Sequence, residues 1–210
     1  MTELRDGYDR VAADYAREFA DEMDRKPFDR KVLDWLAEKV KGLGPVCDMG
    51  CGPGQVARYL HHRGVEACGV DLSAEMVRHA RALNPEIHFR QGDMLALSGV
   101  PDETYGGIAA FYSLIHVPRP SLADALCELK RVLRPAGTLL VTFHLGRETL
   151  HKDEFFGRPV SLDFHFFESA EMKERLTAAG FDLEEAIERD PYPPEVEYQS
   201  RRAYIFARKP

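Results

Sequence analysis

The 210-residue sequence predicts one α/β domain built on a doubly wound, mostly parallel seven-stranded sheet, preceded by helices and closed by a C-terminal antiparallel hairpin. Three observations predict it. Short apolar runs alternate with amphipathic helical stretches through the middle of the chain, a glycine-dense loop follows the first of these runs, and the last two runs succeed each other with no helix between them.

The elements follow in order. From Tyr8 to Val40 apolar residues recur at helical spacing in "YDRVAADYAREF" and "FDRKVLDWLAEKV", with Lys26-Pro27 between them, so residues 1–42 are expected to form a helical cap segment. "GPVCDMG" is a short buried strand, and "QVARYLHHRG" a helix closed by Gly64. "VEACGVDL" is a second strand, "SAEMVRHARAL" a helix with Ser73 as N-cap, and "EIHFRQGD" a third strand. "GGIAAFYSL" gives a fourth strand and "SLADALCELKRVL" a helix with Ser121 as cap. "GTLLVTFHL" is a fifth strand, entered through a Pro135-Ala136-Gly137 turn. Over residues 145–168 the alternation breaks in a phenylalanine-rich stretch, expected as an irregular connection serving as lid or substrate insertion. "SAEMKERLTAAG" is the last helix; "FDLEEAIER" and "RRAYIFARK" pair as the hairpin, with "DPYPPEVEY" as its long loop.

Residues 1–210 are expected to form one domain, since the length suits a single sizeable core and 44% hydrophobic with 30% charged residues is an ordinary globular balance. A net charge of -7 argues against a nucleic-acid partner. The opening "MTELRDGYDR" lacks the apolar core of a signal peptide, and no stretch has the roughly 20 consecutive apolar residues of a membrane span, so a cytoplasmic protein without a membrane partner is expected, as monomer or homodimer. Cys47, Cys51, Cys68 and Cys127 lack the spacing of a disulfide framework and are expected as reduced, buried thiols. His144, His151, Asp153 and His165 match no compact ligand motif, and no metal is expected.

The ligand is read from the strand ends. In an open parallel sheet ligands bind outside the carboxyl ends of the strands, which places Gly50, Gly52 and Gly54 at the crevice. The loop reads G-x-G-x-G, with Gln55 where a dinucleotide fingerprint has its third glycine, and no G-K-[ST] follows to grip phosphates. Asp71 ends the second strand about twenty residues on, where a carboxylate accepts from ribose hydroxyls. Asp93 ends the third, where it can accept from the exocyclic amine of adenine. Together these describe an adenosine site with no phosphate requirement.

On these motifs the chain resembles the class I S-adenosylmethionine-dependent methyltransferases, particularly their small-molecule and ubiquinone/menaquinone-type branch, over nearly its whole length. "CDMGCGPG" is similar to the first family motif, "GVDLSAEMV" to the second and "RQGDMLAL" to the third; "LKRVLRPAGTLLVTFH" resembles the helix and fifth strand. The resemblance implies a Rossmann-like fold and S-adenosyl-L-methionine as cofactor, with S-adenosyl-L-homocysteine as product. It also implies Asp48 and the three glycines beside the methionine portion, Asp71 with Leu72 at the ribose, and Asp93 with Met94 at adenine. "YDRVAADY" is similar to an N-terminal segment that folds over the cofactor, which assigns Tyr15 to it and places Tyr8 on the same helix face, towards the substrate. One departure is Gly106-Gly107, where the family commonly opens the fourth strand with an acid; interior glycine is expected to weaken the strand there.

Methyl transfer needs orientation of a lone pair more than any one catalytic side chain. A hydroxyl or protonated amine acceptor also benefits from a base near neutral pKa. His116 in "FYSLIHVP" is the first candidate and His144 the second, both following strands at the functional edge; a purely crevice-shaping role is the plain alternative for each. Tyr112 and Ser113 end the fourth strand beside the expected methyl position. Phe164 and Phe167, with their neighbouring phenylalanines, suggest an aromatic substrate pocket, and Tyr198 and Arg201 stand in a loop able to overhang it. The expected reaction is transfer to an oxygen or nitrogen of a small apolar or aromatic acceptor. The alternatives are a non-catalytic S-adenosylmethionine-binding module and a nicotinamide-dependent oxidoreductase, which Gln55 and the terminal hairpin disfavour.

Overall fold

The computed structural model describes residues 2–210. Two helices, α1 (Thr2–Phe19) and α2 (Pro27–Lys39), precede β1 (Val46–Met49). Then come α3 (Gln55–His62), β2 (Ala67–Asp71), α4 (Ala74–Leu83), β3 (His88–Gln91), β4 (Tyr105–Phe111), α5 (Leu122–Val132) and β5 (Leu133–His144). β6 (Thr149–Phe155) and β7 (Arg158–His165) pair with each other, and α6 (Ser169–Ala178), β8 (Asp182–Arg189) and β9 (Arg202–Arg208) complete the chain. The main sheet has seven strands in the order β3-β2-β1-β4-β5-β9-β8, parallel except for β9, which runs antiparallel to both neighbours.

Alternation along the central strands divides the core. Ile108 and Ala110 of β4, Leu139, Val141 and Phe143 of β5, and Ile205 of β9 pack on the α5/α6 side. Their sequence neighbours Ala109, Phe111, Leu140, Tyr204 and Phe206 pack on the other side, under Val32, Leu33 and Leu36 of α2 and Leu60 of α3. α1 stands apart. Its Val11 is buried against Val160 and Leu162 of β7, and Gly7 allows the approach, since a Cβ there would lie 2.8 Å from Leu162 Cδ2. On the other flank, the Asp9 carboxylate accepts from Ser73 Oγ at 2.5 Å and from the Glu75 N–H at 3.2 Å. α1 therefore bridges the start of α4 and the β6–β7 hairpin.

Some expectations are corrected. Residues 145–168 are largely a β-hairpin, whose two-residue turn holds Phe156 (φ 52°) and Gly157 (φ 71°), both left-handed as a type I′ turn requires. Phenylalanine in place of Asn or Asp hid that turn. Ser121 makes no side-chain cap, because a 3₁₀ turn over Arg119–Ser121 leads into α5, whereas Ser73 Oγ does accept from the Met76 N–H at 3.0 Å. Cys127 is exposed and Cys68 half-buried, so only Cys47 and Cys51 are buried thiols. Gly106 is required for close approach: a Cβ there would lie 2.7 Å from the Leu43 carbonyl carbon.

Candidate active site

β1 pairs with β2 on one side and β4 on the other, and the connections diverge there, so a crevice opens at their carboxyl ends. It is a cavity of about 310 Å³, floored by the ends of β1, β2 and β4 and roofed by α1 and the β6–β7 hairpin. Gly50 and Gly52 line it. The Gly50 N–H donates to the Val70 carbonyl at 2.7 Å, which ties the loop to β2. Gly52 has φ 51°, and a Cβ there would face only Tyr15 Cε1 at 3.7 Å, so the bare backbone borders open cavity.

Asp71 is fixed by backbone. Its Oδ2 accepts from the Gly52 N–H and its Oδ1 from the Ser73 N–H, both at 2.8 Å. Each oxygen keeps a further lone pair for a ligand hydroxyl. Burial pushes the carboxyl up to about 6, against the pull of these N–H donors. Leu72, Asp93 and Met94 line the cavity beside it, and Asp93 Oδ1 accepts from the Leu95 N–H at 2.9 Å, leaving Oδ2 for an incoming donor. Tyr112 and Ser113 line the opposite wall. Tyr112 has φ 53°, uncommon for a bulky residue, and its N–H donates to Thr142 Oγ1 at 2.9 Å. The Ser113 hydroxyl and Gln55 Oε1 are buried without a hydrogen-bond partner among the described residues, and both residues line the cavity.

The two histidines have different tautomers, fixed by their partners. A carbonyl only accepts, so His116 Nδ1–H donates to the Asp163 carbonyl at 2.9 Å. The Nε2 lone pair then accepts from the Tyr8 hydroxyl at 2.7 Å. A guanidinium only donates, so His144 Nδ1 accepts from Arg202 at 2.5 Å, and its proton sits on Nε2. Burial pulls His116 down to about 4; burial and the Arg202 charge pull His144 down to about 3. Both imidazoles are therefore neutral near pH 7, with different offices: His116 presents a lone pair to Tyr8, while His144 is a donor with no free base. That removes His144 as a candidate base.

Charged residues that hydropathy assigns to the surface also reach the cavity. Lys26 pairs with Glu22 at 2.5 Å, and Gln55 Nε2 donates to the other Glu22 oxygen at 2.8 Å. Glu197 pairs with Arg189 at 2.5 Å and with Arg202 at 2.9 Å, and Arg189 also reaches fully buried Asp29 at 3.1 Å, which accepts from the Tyr204 hydroxyl at 2.5 Å. This network fixes His144 and the 190–201 loop behind the cavity. Of these residues the sequence marks Gln55, as a departure from glycine, and Glu197, which stands with Tyr198 and Arg201 in a loop able to overhang the substrate or to pair at the surface; nothing in the one-dimensional pattern marks the others.

Of the expected site residues, Tyr8, Tyr15, Phe164 and Tyr198 also line the cavity. Four do not. Asp48 lies beneath the glycine loop, where it accepts from the Ala57 N–H at 3.1 Å in the first turn of α3, and burial raises it to about 8. Gly54 turns towards Phe89 and Asn84. Phe167 is 0% exposed and packs edge-on against Phe143 at 6.0 Å between centroids. Arg201 points outward to Glu188 at 3.0 Å and Asp190 at 3.4 Å.

Fold and site define an α/β protein with a ligand-sized crevice at the switch point of its sheet. The family described as "Methyltransferase domain" matches residues 46–137, which span β1 to the start of β5. That stretch therefore carries a methyltransferase domain, and the chain is similar to S-adenosylmethionine-dependent methyltransferases. It is 33% identical over 137 residues to a malonyl-[acyl-carrier protein] O-methyltransferase of Enterobacter lignolyticus, covering 63% of this chain and 52% of that one. It is 31% identical over 164 residues to a probable S-adenosylmethionine-dependent methyltransferase of Mycolicibacterium smegmatis, covering 74% of this chain and 58% of the relative. The chain thus spans about half the length of these curated relatives. Its fold matches that of magnesium protoporphyrin IX methyltransferase from Synechocystis, solved with bound S-adenosylmethionine, at TM-score 0.70 and 20% identity over 98% of this chain and 95% of that one.

Proposed function

We propose that the protein transfers a methyl group from S-adenosylmethionine to an oxygen or nitrogen atom of a small apolar or aromatic acceptor, releasing S-adenosylhomocysteine and a proton. When bound, S-adenosylmethionine supplies an electrophilic methyl on a positively charged sulfur. The observation that carries the reading is Asp71, aimed by the Gly52 and Ser73 N–H groups and ready to accept from ribose hydroxyls. Asp93 and Met94 suit adenine, and Gly50, Gly52 and Tyr15 suit the methionine end. The unpartnered Ser113 hydroxyl and Gln55 Oε1 fit a polar ligand in the same space.

The chain's own part in the chemistry is alignment and proton handling. Tyr8 and His116 stand at the acceptor end, joined at 2.7 Å. As the acceptor atom attacks, its proton passes to the Tyr8 oxygen while the Tyr8 hydroxyl proton passes to His116 Nε2; the Asp163 carbonyl holds the opposite side of the ring. Burial keeps that imidazole neutral, so its lone pair stays available near pH 7. His144 Nε2–H serves as a donor that positions an acceptor oxygen. Phe155, Phe164 and Phe166 line the acceptor end and support an apolar or aromatic substrate.

The test is a calorimetric titration with S-adenosylhomocysteine on the wild type and on Asp71→Ala. Binding that the substitution weakens about a hundredfold supports the reading, and absence of binding to the wild type would sink it.

A further inference from the structure

One cavity-lining cation has no carboxylate beside it among the described residues. Arg5 pairs with Asp6 at 3.0 Å, Lys26 with Glu22 at 2.5 Å, and Arg202 with Glu197 at 2.9 Å. The ammonium of Lys152 lies instead over two phenyl faces, 4.6 Å from the Phe155 centroid and 5.8 Å from that of Phe164. Alternation along β6 makes this placement informative. Leu150 and Lys152 line the cavity, while His151 between them meets Asp153 at 3.0 Å and Asp163 at 2.7 Å on the exposed side. The hairpin keeps its acids outside and turns its lysine in.

The Phe164 ring also lies 4.7 Å from the His116 ring, so a single aromatic side chain separates the Lys152 ammonium from the proton-handling pair. We propose that Lys152 selects an anionic acceptor: a small aromatic carboxylate whose acid group binds Lys152, whose ring packs on Phe155 and Phe164, and whose nucleophilic atom faces Tyr8 and His116. This rests on the methyltransferase reading. None of the other cavity-lining acids pairs with Lys152: Glu22 is held by Lys26 and Gln55, Glu197 by Arg189 and Arg202, and Asp71 and Asp93 accept from backbone N–H groups. A carboxylate entering an apolar pocket needs a counter-charge. Its bond to an ammonium is charge-assisted and stronger than any a neutral ester makes.

The experiment uses full-length protein saturated with S-adenosylhomocysteine, titrated with benzoate and para-hydroxybenzoate, each against its methyl ester. The wild type is expected to bind at least one acid about tenfold or more tightly than its ester, a preference that Lys152→Met reduces to within about twofold and Lys152→Arg retains. If S-adenosylhomocysteine binds but neither acid is preferred, or the preference survives Lys152→Met, the Lys152 proposal is overturned while the methyltransferase reading stands. If S-adenosylhomocysteine itself does not bind, the methyltransferase reading falls first and takes this proposal with it.

Discussion

At the end of the cavity proposed to hold adenosine the key positions are set by backbone: the Gly52 and Ser73 N–H groups hold Asp71, and the Val70 carbonyl receives the Gly50 N–H. At the end proposed to receive the acceptor they are set by side chains meeting across distant segments, Tyr8 with His116, Arg202 with His144, and Arg189 with Asp29. A backbone-built site tolerates little change in its loop. A site built from side chains can be re-lined without disturbing the sheet, so under the proposed function the first half would carry the cofactor chemistry and the second the selectivity for the acceptor.

The sharpest test of that division lies within one short stretch. Phe167→Ala opens a cavity in the core and is expected to cost about 3–5 kcal/mol, lowering Tm by roughly 10 °C, while Phe164→Ala leaves Tm nearly unchanged and weakens acceptor binding. Equal thermal losses would erase the distinction. Asp71→Ala is expected to weaken S-adenosylhomocysteine by about a hundredfold in calorimetry, since it removes a charged acceptor from a buried site. At the other end, Tyr8→Phe and His116→Leu are expected to lower kcat by roughly ten- to a hundredfold with S-adenosylhomocysteine affinity intact. A matching loss of affinity would show that the two ends are not separable.

The smallest effect is a pH dependence. Asp71 is raised to about 6, so it loses its charge as pH falls through that value, and S-adenosylhomocysteine affinity should be level above about pH 7 and decline below pH 6. For stability the sign is opposite. A folded pKa above the unfolded one means that the native state binds the proton more tightly, so this group's contribution is fully present below its unfolded value and lost as pH rises through 6. His116 and His144, lowered to about 4 and 3, act the other way: their stabilisation is present above the ordinary histidine range and declines as pH falls towards those values. Affinity and Tm measured together over pH 5–8 would separate these contributions; an affinity flat across that range would remove Asp71 as the titrating acceptor.

What could be read from sequence follows the same division. Gly50, Gly52, Asp71 and Asp93 are legible as cavity-lining residues because strand ends and turn glycines carry local rules at fixed spacing. Asp48 and Gly54 belong to the same motif but serve the loop from beneath, a difference of side-chain direction that spacing does not encode. Glu22, Lys26, Lys152 and Arg202 are charged, and charge in a sequence pattern reads as solvent-facing; their partners are mostly near in the chain, Glu22 for Lys26 and Glu197 for Arg202, but spacing does not tell a buried pair from a surface one. The β6–β7 hairpin went unseen because Phe156 occupies a turn position usually given to Asn, Asp or Gly. Phe166 faces the cavity while Phe167, one residue on, enters the core, and only the register of the folded segment decides which is which.

The consecutive residues Tyr8 and Asp9 fasten one helix to two different walls, His116 on one side and the start of α4 on the other. Were undoing either bond to loosen the grip on its neighbour, arrival and departure at the two ends would be linked in time. Turnover would then be paced by the lifting of α1, and kcat would fall as solvent viscosity rises.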